Sequence, residues 1–235
     1  MKKGFTLVEM SIVLVIIAIL VVAIVGGKNL LESSKLGGVV ADLTSYKSAY
    51  DKFKEVYGAM PGDIPDATDV WVSVTGNGNG DGNSSIDTTN ESFLAWKHLE
   101  LAKLIDGTYL GDGQLTPSAD VNMPAGPYNN SAYDMQKQDG ENTGEGIADT
   151  YQFEGLNGIA FGRIFSNRVV AEVFTPADAM LVDSKLDDGN ALTGIVAGSK
   201  GRNMVAETCI AIATGVYQTT INSQTCYVIY FLERY

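Results

Sequence analysis

A single carboxylate interrupts the apolar N-terminal segment of this chain. Glu9 lies between Phe5 and Gly26, and every residue from Ile12 to Val25 is hydrophobic. An ionised carboxylate inside a bilayer costs about 3 kcal/mol on insertion scales, so such a group normally has a partner. We therefore expect Glu9 to pair with a cation inside an apolar environment.

A second group of oxygen-bearing side chains lies in a Gly- and Asn-rich stretch. Asn77, Asn79 and Asp81 occupy alternate positions before a glycine, as in the first half of an EF-hand loop, which binds calcium through oxygens. The twelfth position holds Thr88 instead of glutamate. Further oxygens could come from Asp87 and Glu91. The pattern thus predicts either a calcium site or a flexible Gly/Asn turn.

The remaining candidate groups carry weaker signals. Asp183, Asp187 and Asp188 form a second candidate cation site, for which a solvated helix end is the competing interpretation. His98 is the only histidine and has no cysteine or acidic ligand at a suitable spacing. We expect it to be structural or solvent-facing.

Sequence motifs for common catalytic sites are absent. The chain contains no G-x-S-x-G, no H-E-x-x-H and no G-x-x-x-x-G-K-[ST]. Ser-His-Asp chemistry would have to use His98, which has no supporting context. We therefore predict that the protein is not an enzyme and has no cofactor other than calcium.

The composition sets further limits. The 235 residues carry 16 basic and 28 acidic side chains, a formal charge of −12. Such a surface repels phosphate backbones, so we expect no direct binding of nucleic acid. The length suits one domain with an appendage.

The apolar segment has the length of a membrane span. Phe5 to Gly26 is 22 residues, which at about 1.5 Å per residue crosses a bilayer of about 30 Å. Lys2 and Lys3 precede it, so the N-terminus should stay in the cytoplasm. A cleaved secretory signal would need a small-residue site after the apolar run, and no A-x-A pattern follows. A plain signal anchor would leave Glu9 unexplained.

The string Lys3-Gly4-Phe5-Thr6-Leu7-Val8-Glu9 resembles the leader of type IV pilins and type II secretion pseudopilins. The resemblance implies that a prepilin peptidase cuts between Gly4 and Phe5 and methylates the new N-terminus at Phe5. Glu9 then becomes the fifth residue of the mature chain, where the family has glutamate. It can neutralise the Phe5 amine of its own chain or of a neighbouring subunit. The mid-helix proline that is common in this family is replaced here by Gly26.

The helix is predicted to continue beyond the span as an amphipathic segment. Apolar residues recur at three- and four-residue steps, and Gly58 and Pro61 give a stop signal. The stripe consists of Leu36, Val39, Val40, Leu43, Tyr46, Tyr50, Phe53 and Tyr57. We expect a leader at 1–4, a transmembrane or filament-core helix at 5–27, its amphipathic continuation at 28–57 and an exported headgroup at 58–235.

An α+β fold follows, in which this helix packs on an antiparallel headgroup sheet with extra helices and loops. A capping box at Thr88 and Glu91 predicts a helix to about Ile105, and Thr175 predicts the start of another. Strand-like runs cover 158–164 and 169–174, and the polar stretch 111–146 is predicted to be a long surface loop. The C-terminal residues 227–232 are apolar on both faces, as in an inner strand.

Two cysteines lie near the C-terminus. An even pair in an exported domain predicts a disulfide, whereas a cytosolic protein would keep two free thiols. Cys209 and Cys226 also resemble the C-terminal disulfide of type IV pilins. The N-terminal segment favours export and therefore the disulfide.

The leading functional hypothesis is a pilin, major or minor, of a type IV pilus that serves adhesion, motility or DNA uptake. The alternatives are a pseudopilin of a type II secretion system and a membrane-tethered binding or enzymatic domain. The expected partners are other pilins, prepilin peptidase and an inner-membrane assembly platform. The precursor is expected in the inner membrane with a periplasmic headgroup, and the product in a surface pilus or periplasmic pseudopilus.

Overall fold

The computed structural model describes residues 6–71, 78–111, 116–138, 155–166, 168–202 and 208–233. The chain divides into two compact units, Met1–Gly38 and Val39–Tyr235. The helices are α1 (Leu7–Tyr57), α2 (Ala67–Val70), α3 (Thr89–Leu101) and α4 (Pro176–Leu186). The strands are β1 (Ser131–Gln138), β2 (Leu156–Phe165), β3 (Arg168–Ala171), β4 (Val196–Lys200), β5 (Ile210–Ala211), β6 (Val216–Tyr217) and β7 (Cys226–Phe231).

Helix α1 begins in the apolar segment. In its first part, the large apolar side chains described from Leu7 to Leu31 are 48% to 87% exposed. The helix continues through the glycine pairs 26–27 and 37–38 and ends before Gly58, whose φ of +69° suits a residue without Cβ. The predicted stop signal is therefore confirmed.

The second unit contains an antiparallel sheet with the strand order β1-β2-β7-β4, and β3 also pairs with β2. All six residues of β7 are buried, and the strand lies between β2 and β4. The prediction of an inner C-terminal strand is confirmed. Together with the long helix, this sheet gives the predicted α+β fold.

The part of α1 that belongs to the second unit buries half or more of the predicted apolar stripe within it, and Val40, Tyr46 and Tyr57 are half-buried. Val39, Leu43, Tyr50 and Phe53 are at most 1% exposed. Tyr133 of β1 donates its hydroxyl proton to the Asp42 carboxylate at 2.7 Å. Burial and this carboxylate raise the pKa of Tyr133, so its hydroxyl remains a donor.

The prediction of a surface loop over 111–146 is wrong in one segment, because Ser131–Gln138 forms edge strand β1. Its sequence alternates apolar Tyr133 and Met135 with polar Asp134 and Gln136, and all four are buried. Asp134 accepts a hydrogen bond from the Ser92 hydroxyl at 2.5 Å and lies 3.6 Å from the Arg168 Nε. These partners allow polar residues to be buried in a strand whose polar composition predicted a surface loop.

Helix α3 begins as predicted and ends earlier. The Thr88 hydroxyl accepts the amide proton of Glu91, and the Glu91 carboxylate accepts that of Thr88, which completes the capping box. Helix α3 ends at Leu101 instead of near Ile105. Lys103 adopts a left-handed φ of +60°, and the amides of residues 103 and 104 bond to the carbonyls of residues 100 and 99. This is a Schellman stop formed without glycine.

Near the C-terminal end of the described chain, one carboxylate forms hydrogen bonds and an ion pair with residues distant in sequence. Glu233 accepts hydrogen bonds from the Tyr50 hydroxyl at 3.1 Å and from the Asn157 side-chain amide at 3.2 Å. The Lys54 ammonium lies 3.5 Å from the same carboxylate, whose side chain is 23% exposed. This contact joins α1, β2 and the segment after β7.

We expect Glu233→Ala to lower the free energy of unfolding by about 1–3 kcal/mol, because it removes an acceptor shared by the Tyr50 hydroxyl and the Asn157 side-chain amide. Urea unfolding of the detergent-solubilised chain measures this. Glu55→Ala is the matched control, since Glu55 pairs with Lys52 on the exposed surface of the same helix, and it should change stability by less than about 0.5 kcal/mol. Equal effects of the two substitutions would contradict the stabilising role of the Glu233 contacts.

Candidate assembly site and headgroup carboxylates

Glu9 lies in the first turn of α1 and is held by the residue that precedes the helix. The Thr6 amide and the Thr6 hydroxyl donate to the Glu9 Oε2 at 2.7 Å and 2.8 Å. The Glu9 amide in turn lies 3.2 Å from the Thr6 Oγ1, which accepts its proton. These reciprocal bonds form a capping box, which satisfies amides that the helix cannot pair internally.

The sequence reasoning identified Glu9 but missed Thr6. The signal was present, because Thr6-Leu7-Val8-Glu9 has the same T-x-x-E spacing as Thr88 to Glu91. Gly4 and Phe5 lie outside the described residues, so leader cleavage and methylation there stay predictions.

Helix α1 also meets the length and composition of a membrane span. Among the helices in the described ranges, it is the one that is long and apolar enough to cross a bilayer. Glu9 lies near its N-terminal end. The helix therefore fits a membrane-anchored precursor.

The loop proposed for calcium brings together two of the predicted oxygen donors, Asp81 and Glu91, and a third, Asp63, that was not predicted. Carboxylate oxygens of Asp63, Asp81 and Glu91 lie within 4.8 Å of one another. Asn79 instead accepts a hydrogen bond from the Thr68 amide at 2.9 Å. Asn77 lies outside the described residues. Calcium binding here stays a prediction.

Two of these carboxylates organise the loop through backbone amides. Asp63 accepts hydrogen bonds from the amides of residues 82, 83 and 84 at 2.8 to 3.1 Å. Glu91 accepts from those of residues 81, 87 and 88 at 3.1 to 3.3 Å. Burial raises the pKa of both groups, and the hydrogen bonds oppose that shift.

His98 is enclosed beside this loop. Its Nδ1 accepts the Gly62 amide proton at 2.9 Å, and its Nε2 donates to the Gly78 carbonyl at 3.2 Å. Burial lowers its pKa to about 4, so it is neutral at pH 7. The expectation of a structural histidine is met, and the solvent-facing alternative is wrong.

The second acidic group is more buried than a solvated helix end. Asp183 has no exposed surface. It accepts the Tyr217 hydroxyl proton at 2.6 Å and the Gly189 amide proton at 3.0 Å. Its carboxylate lies within 4.8 Å of those of Asp187 and Asp188. Burial raises the pKa of Asp183 to about 6. The solvated interpretation is therefore wrong for this residue.

We expect Asp183→Asn to change how stability depends on pH. A raised carboxyl pKa makes the native chain lose stability as pH rises from about 4, the unfolded value, to about 6. His98 acts in the opposite direction, because its lowered pKa makes stability fall as pH drops from about 6.5 to about 4. The variant should therefore lose stability more steeply than wild type on acidification over this range. Unfolding free energies from urea titrations are plotted against pH for the variant and wild type. Two parallel curves would contradict the raised pKa of Asp183.

The two cysteines are joined in the second unit. A disulfide links Cys209 to Cys226, whose Cα atoms are 5.2 Å apart. The enclosed segment contains the β5–β6 hairpin, and Cys226 opens β7. Closing such a loop stabilises a fold by about 3 kcal/mol through the entropy of the unfolded chain.

Comparison with known proteins bears on the N-terminal segment. Residues 1–25 match the family described as the prokaryotic N-terminal methylation motif. No curated protein and no solved structure matches the chain. The motif marks a pilin- or pseudopilin-like substrate of prepilin peptidase and indicates a structural subunit. Over residues 1–25, the chain thus carries the methylation motif that is the signature of type IV pilins and pseudopilins.

Proposed function

We propose that this protein is a structural subunit, major or minor, of a type IV pilus on the cell surface. The observation that carries the proposal is the methylation motif placed on an exposed apolar helix that holds a single carboxylate in its first turn. Prepilin peptidase and an inner-membrane assembly platform are the expected partners besides other pilins.

Processing creates a new cation four residues before Glu9. Hydrolysis of the Gly4–Phe5 peptide bond leaves an ammonium group on Phe5, and a methylated amine keeps its positive charge. Removal of residues 1–4 also removes Lys2 and Lys3. Two unpaired charges in lipid are costly, so Glu9 of one copy favours docking against the Phe5 amine of another.

The same pairing defines how copies stack. Each copy presents a carboxylate at Glu9 and an amine four residues earlier, so a copy shifted along the axis can bind one neighbour through each group. Such contacts do not close on themselves and generate a helical filament. The apolar side chains between Leu7 and Leu31, exposed in a single chain, become buried among neighbouring helices.

The proposal is tested by locating the assembled protein. Fibres sheared from intact cells should contain the chain. Deletion of its gene should abolish or reduce the formation of fibres. Retention of the processed chain in the periplasm would instead support the pseudopilin alternative. A monomeric, uncleaved chain in the membrane would overturn both and favour a tethered binding or enzymatic domain. Piliated cells can then be assayed for adhesion, motility and DNA uptake.

A further inference from the structure

We propose that Asn83 is a modification site, at which an oligosaccharide is joined to the side-chain nitrogen of the exported headgroup. The site is the tripeptide Asn83-Ser84-Ser85, which has the Asn-x-Ser pattern of N-linked glycosylation. The inference goes beyond the proposed function and requires only that the headgroup is exported, as it is in a pilin or a pseudopilin. The substrate class is an oligosaccharide whose anomeric carbon is activated by a lipid diphosphate.

The Asn-x-Ser pattern occurs at three places in the chain, which begin at Asn83, Asn90 and Asn129. Asn90 lies in the first turn of α3 and is half-buried. Asn83 and Asn129 are both exposed and lie outside the helices and strands. An acceptor for N-linked sugar is expected in a surface loop of an exported protein, so exposure favours Asn83 and Asn129.

The serine hydroxyl at the third position of the pattern separates these candidates further. Ser131, which follows Asn129, donates to the Tyr128 carbonyl at 2.8 Å and accepts the Tyr128 amide proton at 3.1 Å. The hydroxyl of Ser92, which follows Asn90, is bound to a buried carboxylate. The Ser85 Oγ has no hydrogen-bond partner among the described residues. Presenting Ser85 to a transferase therefore breaks no hydrogen bond of its hydroxyl.

The turn that carries Asn83 is held by its main chain and not by the asparagine side chain. Asp63 accepts hydrogen bonds from the amides of residues 82–84 at 2.8 to 3.1 Å. The Asn83 Nδ2 donates to the Asp81 Oδ2 at 3.0 Å and to the Asp87 Oδ2 at 3.2 Å. Both of these bonds lie at the surface, where water can replace a lost partner. Substitution of one Nδ2 proton by a sugar is therefore compatible with the turn.

The step is a glycosyl transfer to an amide nitrogen. A bond forms between the Asn83 Nδ2 and the anomeric carbon, and the bond from that carbon to the diphosphate oxygen breaks, so the lipid diphosphate leaves. One Nδ2 proton passes to a base of the membrane transferase, and the other remains for one of the two carboxylates. The Ser85 hydroxyl is buried in the folded chain. Transfer is therefore expected on the exported segment before it folds.

The test is mass spectrometry of peptides from the chain purified from native membranes and sheared fibres. The peptide between Lys54 and Lys97 should exceed its sequence mass by a chain of sugar residues, and fragmentation should place them on Asn83 and not on Asn90. Asn83→Gln should lower the modified fraction about tenfold or more. Asn129→Gln, which changes another exposed copy of the pattern, is the matched control and should leave the fraction within about twofold of wild type.

Variants of Ser85 show whether the modification depends on the pattern. Ser85→Ala should abolish it and Ser85→Thr should keep it, because threonine supplies the same hydroxyl. A wild-type Asn83 peptide at its sequence mass, or sugar that persists in Ser85→Ala, would overturn the inference. If unmodified Asn83 is found in surface fibres, the inference fails and the proposed function stands. Modified Asn83 in an uncleaved, membrane-tethered chain would support the inference and overturn the proposed function.

Discussion

Glu9→Ala is expected to leave leader removal intact and to lower the yield of fibres by about a hundredfold or more, because removing one member of a buried ion pair costs several kcal/mol. Without the carboxylate, each Phe5 amine would enter the filament core with no counter-charge. Cleavage should proceed, since the Gly4–Phe5 bond is unchanged. The measurement is quantitative immunoblotting of sheared fibres and of the membrane fraction.

Glu9→Gln is the matched control for this substitution. Glutamine keeps an oxygen that can accept the Thr6 protons seen at 2.7 Å and 2.8 Å, but it carries no charge. If charge pairing drives assembly, the glutamine variant should be nearly as defective as the alanine variant. A glutamine variant with wild-type fibre yield would show that capping, and not charge, is what Glu9 supplies.

Gly4→Leu is expected to abolish processing, so that fibres fall below detection and the precursor accumulates in the membrane. The resemblance implies that the peptidase cuts after glycine, and a leucine places a large side chain at the cleavage bond. The uncut chain would keep Lys2 and Lys3 and would have no amine on Phe5. Glu9 would then lack its partner, as in a charge-deletion variant. Electrophoretic mobility of the membrane-bound chain measures the retained leader.

Gly27→Leu is the control for the Gly4 substitution. It introduces the same side chain farther along α1, where an added Cβ meets no atom within 4 Å. This variant should be processed at the wild-type rate. A processed Gly4→Leu chain, or an unprocessed Gly27→Leu chain, would contradict the placement of the cleavage site.

The long helix and the inner strand could be predicted because their signals are local. The apolar stripe from Val39 to Tyr57 has a helical period, and Gly58 ends it at the observed residue. The strand at Cys226–Phe231 is apolar on both faces, which indicates an inner position regardless of its neighbours. The capping box at Thr88 could also be predicted, because it needs only two residues at a fixed spacing.

The parts that were missed depend on contacts between distant residues. Strand β1 is polar, and Asp134 can be buried there because Ser92 and Arg168 lie nearby in space. Asp183 is buried for the same reason, since its partner Tyr217 lies 34 positions away. Tertiary contacts of this kind leave no periodic signal in the sequence.

The assembly site was predicted in part. Glu9 stood out because a carboxylate in an apolar run is costly, whereas Thr6 is inconspicuous until its hydrogen bonds are seen. The loop proposed for calcium shows the opposite case. Alternation of Asn and Asp suggested ligands, but the structure uses Asn79 to bind the Thr68 amide and brings Asp63 to Asp81 from outside the motif.

Mass spectrometry of the N-terminus in purified surface fibres tests the central claim most directly. A mature chain that begins with methylated Phe5 and lacks residues 1–4 is the result that our account requires. Subunits that retain Met1 to Gly4, or that are found only as single membrane-tethered molecules, would contradict it.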